Sequence, residues 1–448
     1  MKSSLLFLAL LIQTFVIAQN KVAIIGGGIA GVATAHYINQ LDSTARITVF
    51  EKNAEIGGNA HTIAVPTFSS DTVWVDAGPQ YFADKSWENY IALLKEYGEY
   101  NENEVYPFKG SIVLQQDGKK RSNLVTPYKG NFRGEKLSTL IDFKKVFDWG
   151  YAIFSKENKN YPPTIGEWVN AMPFDNDFKT NTLIPFLAAD LGTSTEEIKQ
   201  TSTAEMVKLF AFRKATSSAI FKIMKIGMGT LVQHIGEKLK QSKGVIFKTS
   251  SPVKQLSVIA KGYNLVFENV AGTQTQHFDY VIIATHPDQA AKILQSDNQF
   301  SNLVSVLKEF PYFKAHIVLH RYDEIVDKKY PSFFNIHIDP QTKMVSNTMN
   351  LGIIHPRYKG IYKSWVSDEV YSKIKAEKLM IHEEIFYHPL ITPAFISNIA
   401  TLKERLKQFS NLYISGGWSQ GLETQETAIL SGKEAAEHYF QWQKTTRQ

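Results

Sequence analysis

Between residues 22 and 51 the chain reads as a strand, a glycine turn, a helix and a second strand, an order that few folds accommodate. Val22-Ala23-Ile24-Ile25 is a short apolar run ending in Gly26-Gly27-Gly28-Ile29-Ala30-Gly31, and a helical stretch follows to about Leu41. A second apolar strand, Ile47-Thr48-Val49-Phe50, ends at Glu51. Gly26, Gly28 and Gly31 fit the spacing GxGxxG. Bare glycines there let the backbone turn tightly, approach a pyrophosphate and pack the helix on the sheet. Ile29 and Ala30 then open a helix whose N–H groups face the phosphates. Glu51, about twenty residues beyond the last glycine, stands where an acid binds ribose hydroxyls, with Lys52 beside it. The pattern predicts an α/β, Rossmann-like dinucleotide-binding sheet.

The rest of the chain interrupts that sheet twice. A hairpin is expected with arms Thr62–Val65 and Thr72–Val75, and aromatic-rich helices and loops follow, punctuated by Pro162-Pro163 and Pro173. The α/β pattern returns near Met228 with a helix to Lys240, then strands, closing on the apolar run Tyr280–Thr285. A second interruption contains the alternating strand Ala315–His320. The chain then ends with Leu412–Ser415, Gly416-Gly417 and a helix from about Gln425 to Phe440. The expected division is a leader (1–18), dinucleotide-binding pieces (20–84, 228–287, 409–448) and a mixed α+β substrate domain (85–227, 288–408). The two domains are interleaved, without repeats or a flexible linker.

Composition narrows the class further. With 448 residues, 44% hydrophobic and 21% charged, the chain can bury large cores and is not of disordered type. A formal charge of +6 spread along the chain reads as a solvated surface that also suits association with an anionic membrane surface. Nucleic-acid binding is not expected, and no motif encodes an oligomeric state. Without cysteine, disulfides, thiolate metal sites, cysteine nucleophiles and a cysteinyl link to a cofactor are excluded. Lys2, the apolar run to Ala18 and the small residue ending it read as a cleaved signal peptide, implying a periplasmic or secreted protein.

The segment Glu51-Lys52-Asn53-Ala54-Glu55-Ile56-Gly57-Gly58-Asn59-Ala60-His61-Thr62 resembles the one that follows the fingerprint in the flavin amine oxidase superfamily. So do Val75-Asp76-Ala77-Gly78-Pro79-Gln80-Tyr81, the strand around Pro252-Val253, the strand ending at Ala284, and Leu412–Trp418 with Glu426-Thr427 through Gly432. The resemblance covers the cofactor-binding pieces, under half of the chain, and implies an amine-oxidase-like two-domain fold holding FAD noncovalently. It implies that Gly57, Gly58 and Asn59 lie on the phosphate and ribityl portion and that Gly78, Pro79 and Gln80 line the ring. It further implies that Val253 contacts adenine, that Ala284 runs under the cofactor, and that Gly417, Trp418, Glu426 and Thr427 close the flavin site.

Two departures matter. Amine oxidases of the group carry an aromatic side chain just before the closing helix, and here that stretch is Gln420-Gly421-Leu422-Glu423-Thr424-Gln425. They also carry a lysine near the end of a substrate-lobe strand, water-linked to flavin N5. The comparable strand, His316 to Asp323, offers His320 and Arg321. Both departures weigh against an amine. Leu319-His320-Arg321-Tyr322-Asp323, His388-Pro389 and Gly416-Gly417-Trp418 are similar instead to flavoproteins associated with cyclopropane fatty acid synthesis, and flavin-dependent polyunsaturated fatty acid isomerases stand close to these.

The expected activity is hydride transfer from a substrate carbon to flavin N5, oxidising, desaturating or isomerising a lipophilic or unsaturated small molecule, with His320 as catalytic proton carrier. An amine oxidase releasing hydrogen peroxide is the alternative, and a non-catalytic secreted flavin-binding protein a second one. The twelve histidines show no HExxH spacing, and His382-Glu383-Glu384 lacks a second histidine, so no metal is expected.

Overall fold

The computed structural model describes residues 19–83, 86–116, 124–125, 137–213, 221–339 and 344–446. The expected leader, residues 1–18, lies outside them, as does the expected domain boundary at 84/85. No helix among the described residues is long and apolar enough to cross a membrane.

The opening unit folds as its pattern dictates. Strand β1 (Lys21–Ile25) runs into helix α1 (Ile29–Leu41) and then strand β2 (Arg46–Phe50). β1 lies centrally in a five-stranded sheet ordered Val245–Lys248, β2, β1, Tyr280–Ile283, Leu412–Ile414. Every pairing in this sheet is parallel, and Val22 stands opposite both Ile47 and Tyr280. Alternate side chains of a strand point to opposite faces. Accordingly, Val22 and Ile24 enter a core with α1 and the closing helix, whereas Ala23 and Ile25 enter a second core with Phe267, Leu294 and Trp418. Burial on both faces explains why these strands are apolar throughout.

Helix Gln425–Thr446 crosses α1 closely: a Cβ at Gly432 would stand 2.8 Å from the carbonyl oxygen of Ala30. An antiparallel sheet of Val253–Val258, Tyr263–Asn269 and Gly272–Phe278 covers the opposite face. The expected hairpin is present as β3 (Thr62–Pro66) and β4 (Thr72–Asp76).

The second lobe is built on a seven-stranded sheet ordered Met380–Pro389, Tyr312–His320, Tyr362–Trp365, Val345–Asn350, Phe334–Ile338, Ile112–Gln116, Leu124–Val125. Its one parallel pairing among the described residues joins Phe334–Ile338 to Ile112–Gln116, so the two insertions share one sheet. Helices Leu137–Phe154, Ile165–Ala171, Ile184–Leu191 and Thr203–Phe210 form an aromatic core around Phe143, Phe186 and Phe210. A Thr164–Glu167 capping box starts one of them. The fold is a two-domain α/β structure, a Rossmann-like parallel sheet joined to a mixed-sheet substrate domain.

Candidate functional site

At the C-terminal edge of the parallel sheet, bare backbone replaces side chains. Gly31 packs so closely that a Cβ there would overlap the carbonyl oxygen of Gly26. Gly57 N–H donates to the carbonyl of Gly27 at 3.0 Å, and a Cβ on Gly58 would lie 3.0 Å from the Cα of Gly28. Gly28 differs from these. Its φ of −72° suits any residue, and a Cβ would meet nothing nearer than 3.6 Å. The protein's own packing therefore does not require glycine at position 28; the space a side chain would fill is left for something outside the chain. No side chain among the described residues caps α1, so the first-turn N–H groups at Ile29, Ala30 and Gly31 are available to an anion.

Glu51 is buried at the end of β2. Its Oε2 accepts from Gly27 N–H at 2.8 Å and its Oε1 from Asn53 N–H at 2.9 Å. A carboxylate has about four acceptor sites, so both oxygens retain capacity for ribose hydroxyls. Ser251 N–H donates to the carbonyl of Glu51 at 2.8 Å, which brings Val253 to the same edge. Ala284 N–H bonds the carbonyl of Ile25 at 2.7 Å, holding Ala284 beside Gly26. Lys52 is exposed at the rim.

Loop 57–61 and turn 77–80 meet next. A Cβ at Gly78 would overlap the carbonyl of Asn59, and Ala77 N–H donates to the backbone carbonyl of His61 at 2.8 Å. Asp76, just before the turn, accepts from Thr62 Oγ1 at 2.5 Å and from Met228 N–H at 2.9 Å, capping helix Met228–Lys240. Pro79 and Gln80 complete the turn. The Oε1 atoms of Gln80 and, at the start of the closing helix, Gln425 are buried with no hydrogen-bond partner among the described residues. Unpaired buried acceptors on two of the segments expected to face the ring suit a ligand that carries donors.

Sequence reading missed Lys363. It stands on Tyr362–Trp365, the strand beside the one where the resemblance had located a lysine, opposite Leu319 in register. Lys363 is fully buried, and its ammonium donates to the carbonyl of Gly78 on the ring-facing turn. Burial pulls its pKa down to about 7, partly offset by the charges of Asp76 and Glu384. Burial also pushes Asp76 up to about 6, against its hydrogen bond from Thr62 and the charge of Lys363. A cation and an acid that both titrate near neutrality therefore flank the turn. The departure read at His316–Asp323 holds for that strand; a buried lysine reaches the ring-facing turn from the neighbouring strand.

His320 does not have the environment of a proton carrier. It is fully buried, its Nε2 bonds Ser364 Oγ at 2.7 Å, and its Nδ1 accepts from Tyr322 N–H at 3.1 Å. An Nδ1 that accepts assigns the proton to Nε2, and burial lowers the pKa to about 3. The ring is a neutral, satisfied structural group. Two further expectations need correction. Trp418 packs its ring on Phe310 in the second core and donates from Nε1 to Thr285 at 3.1 Å. Glu426 directs its carboxylate to Asn89 and Tyr90 N–H at 3.1 and 2.8 Å, capping helix α2 (Glu88–Glu96). Thr427 exchanges hydrogen bonds with Thr424 and so fixes the start of the closing helix beside Gly417. In the stretch without an aromatic, Glu423 lies 3.7 Å from His286; burial acts against His286's proton, but this acid raises its pKa overall.

The glycine cradle, the uncapped helix, the ribose-facing acid and the orphan acceptors fit FAD, which would be held by Gly26–Gly31, Glu51, Gly57–Asn59, Gly78–Gln80, Val253, Ala284 and Gly417. Comparison with known proteins agrees. The family model for flavin containing amine oxidoreductases matches residues 29–350. The chain is 21% identical over 332 residues to coproporphyrinogen III oxidase of Staphylococcus aureus (strain NCTC 8325 / PS 47), covering 66% of this chain and 64% of that protein. It thus spans just under two thirds of that curated relative. Among solved structures, a protein of Exiguobacterium sp. 255-15 assigned as a protoporphyrinogen oxidase superposes with a TM-score of 0.66 at 15% identity, covering 94% of this chain and 99% of that one. Cyclohexylamine oxidase from Brevibacterium oxydans IH-35A gives 0.65 at 14% (95% and 100% covered). The CLA-producing fatty acid isomerase from P. acnes gives 0.64 at 12% (94% and 99%). This chain belongs to the flavin containing amine oxidoreductase family.

Proposed function

We propose that the enzyme removes a hydride from a carbon of a lipophilic substrate, oxidising, desaturating or isomerising it. The observation that carries this reading is the wall next to the ring-facing turn. Tyr81, one residue beyond Gln80, makes edge contacts with Phe108, Phe221, Phe333 and Phe334 at centroid distances of 5.9, 5.1, 6.4 and 6.0 Å. Tyr81, Phe221 and Phe334 are only partly buried, so this ring set presents apolar surface as well as core. Bound FAD supplies a two-electron acceptor for a hydride from carbon. The chain's own groups then orient the substrate, exclude water and, at Lys363 and Asp76, hold a proton beside Gly78.

The similarity to a fatty acid isomerase and to porphyrinogen oxidases supports a lipophilic substrate of this kind. The apolar leader supports chemistry outside the cytoplasm. A second reading, oxidation of an amine, is supported by the similarity to cyclohexylamine oxidase.

The test is anaerobic mixing of FAD-loaded protein with an unsaturated fatty acid, a porphyrinogen and cyclohexylamine, following flavin absorbance and analysing products. Bleaching or isomerised product with either lipophilic compound supports the proposal. Turnover of the amine alone replaces it with the second reading, and no reaction with any of them refutes both.

A further inference from the structure

Two histidines and a glutamate converge where the two lobes meet. His61 comes from the loop that follows Gly57–Asn59, and His382 and Glu384 come from strand Met380–Pro389 of the substrate sheet. A strand places residues two apart on one face. The pairing His382 with Leu319 and Glu384 with Ile317 fixes that face toward His61. His61 Nδ1 lies 2.6 Å from Glu384 Oε2, and His382 Nε2 lies 3.4 Å from the same oxygen. One ligand atom from each of the three residues falls within 4.8 Å of the others. The rings of His61 and His382 meet edge to face at 5.5 Å.

We propose that these three residues form a binding site for a divalent transition-metal ion of the zinc class. Two neutral imidazoles and one carboxylate are a donor set favoured by Zn²⁺, Ni²⁺ and Cu²⁺ over Mg²⁺ and Ca²⁺. Bonds of about 2.0–2.1 Å at tetrahedral angles set ligand atoms roughly 3.3 Å apart. The His382–Glu384 spacing of 3.4 Å already meets this, and the His61–Glu384 pair, now at 2.6 Å, would open by roughly 0.7 Å around the ion. Side-chain exposures of 46% at His61 and 28% at both His382 and Glu384 leave a side open for water as a further ligand. Glu383 faces the other way, pairing with His316 at 3.1 Å. No spacing motif announces such a site, because His61 lies more than 300 positions from the other two ligands. A bound ion would tie the loop that follows Gly57–Asn59 in one lobe to the sheet of the other, independently of which substrate the enzyme uses.

The test titrates FAD-loaded protein, prepared without a polyhistidine tag, with ZnCl₂ by calorimetry. Expected are one saturable Zn²⁺ per chain, no competition from Mg²⁺, and affinity weakened roughly tenfold or more by His382→Asn and by Glu384→Gln. Glu383→Gln should bind as the unaltered protein does, and the flavin spectrum reports folding in each variant. Absence of saturable binding overturns the proposal. So does binding that survives both ligand substitutions.

Discussion

Gly28 separates what the fold needs from what the cofactor needs, and Gly28→Ala tests the difference. A methyl group there meets nothing nearer than 3.6 Å, at a backbone angle alanine adopts freely. The only cost to the empty protein is that of alanine in place of glycine at an N-cap, at most about 1 kcal/mol. The same methyl occupies the approach to the N–H groups of α1. Charge-assisted hydrogen bonds contribute about 1.5–3 kcal/mol each, so losing one weakens FAD binding roughly tenfold to hundredfold. Gly31→Ala should behave differently, because its methyl overlaps the Gly26 carbonyl and overpacking costs about 1–3 kcal/mol before any ligand is considered. The assay is FAD titration of the apoprotein, with melting curves of apo forms alongside. If Gly28→Ala bound FAD as tightly as the unaltered protein, or destabilised the apoprotein as much as Gly31→Ala, the cradle argument would fail.

Other expectations follow from individual residues. Lys363→Met should abolish a titration near pH 7 in the pH profile of flavin reduction, and an unchanged profile would remove Lys363 from the chemistry. His320 refuses a proton that the unfolded chain accepts near pH 6.5, so it binds fewer protons in the folded state between pH 6.5 and about 3. Stability is therefore lost as pH falls, by about 1.4 kcal/mol from pH 7.5 to 5.5, and melting curves of His320→Gln should show a shallower decline. Trp418→Phe should lower the melting temperature through the lost bond to Thr285 while leaving the flavin spectrum unchanged.

The parallel sheet was legible because local pattern and tertiary role coincide: both faces of β1 are buried, so its apolar run is continuous, and Glu51 follows at the expected distance. Helix Met228–Lys240 and the β3–β4 hairpin were read for the same reason. Lys363 was not, because its meaning arises only from pairing: four residues, Tyr362 to Trp365, carry no motif until register sets them against Leu319. Glu426 and Trp418 show the converse. Each sits inside a flavin-binding motif, yet its side chain is taken by a helix terminus and by the apolar core. His320 was misjudged because sequence cannot show that both ring nitrogens are already engaged.

The most direct test of the account is the flavin content of the purified protein. Denaturation should release a single FAD per chain into solution, leaving the polypeptide colourless, and Gly28→Ala should release less. A chain that takes up no flavin when incubated with FAD, that binds FMN equally well, or that keeps its colour after denaturation would contradict it.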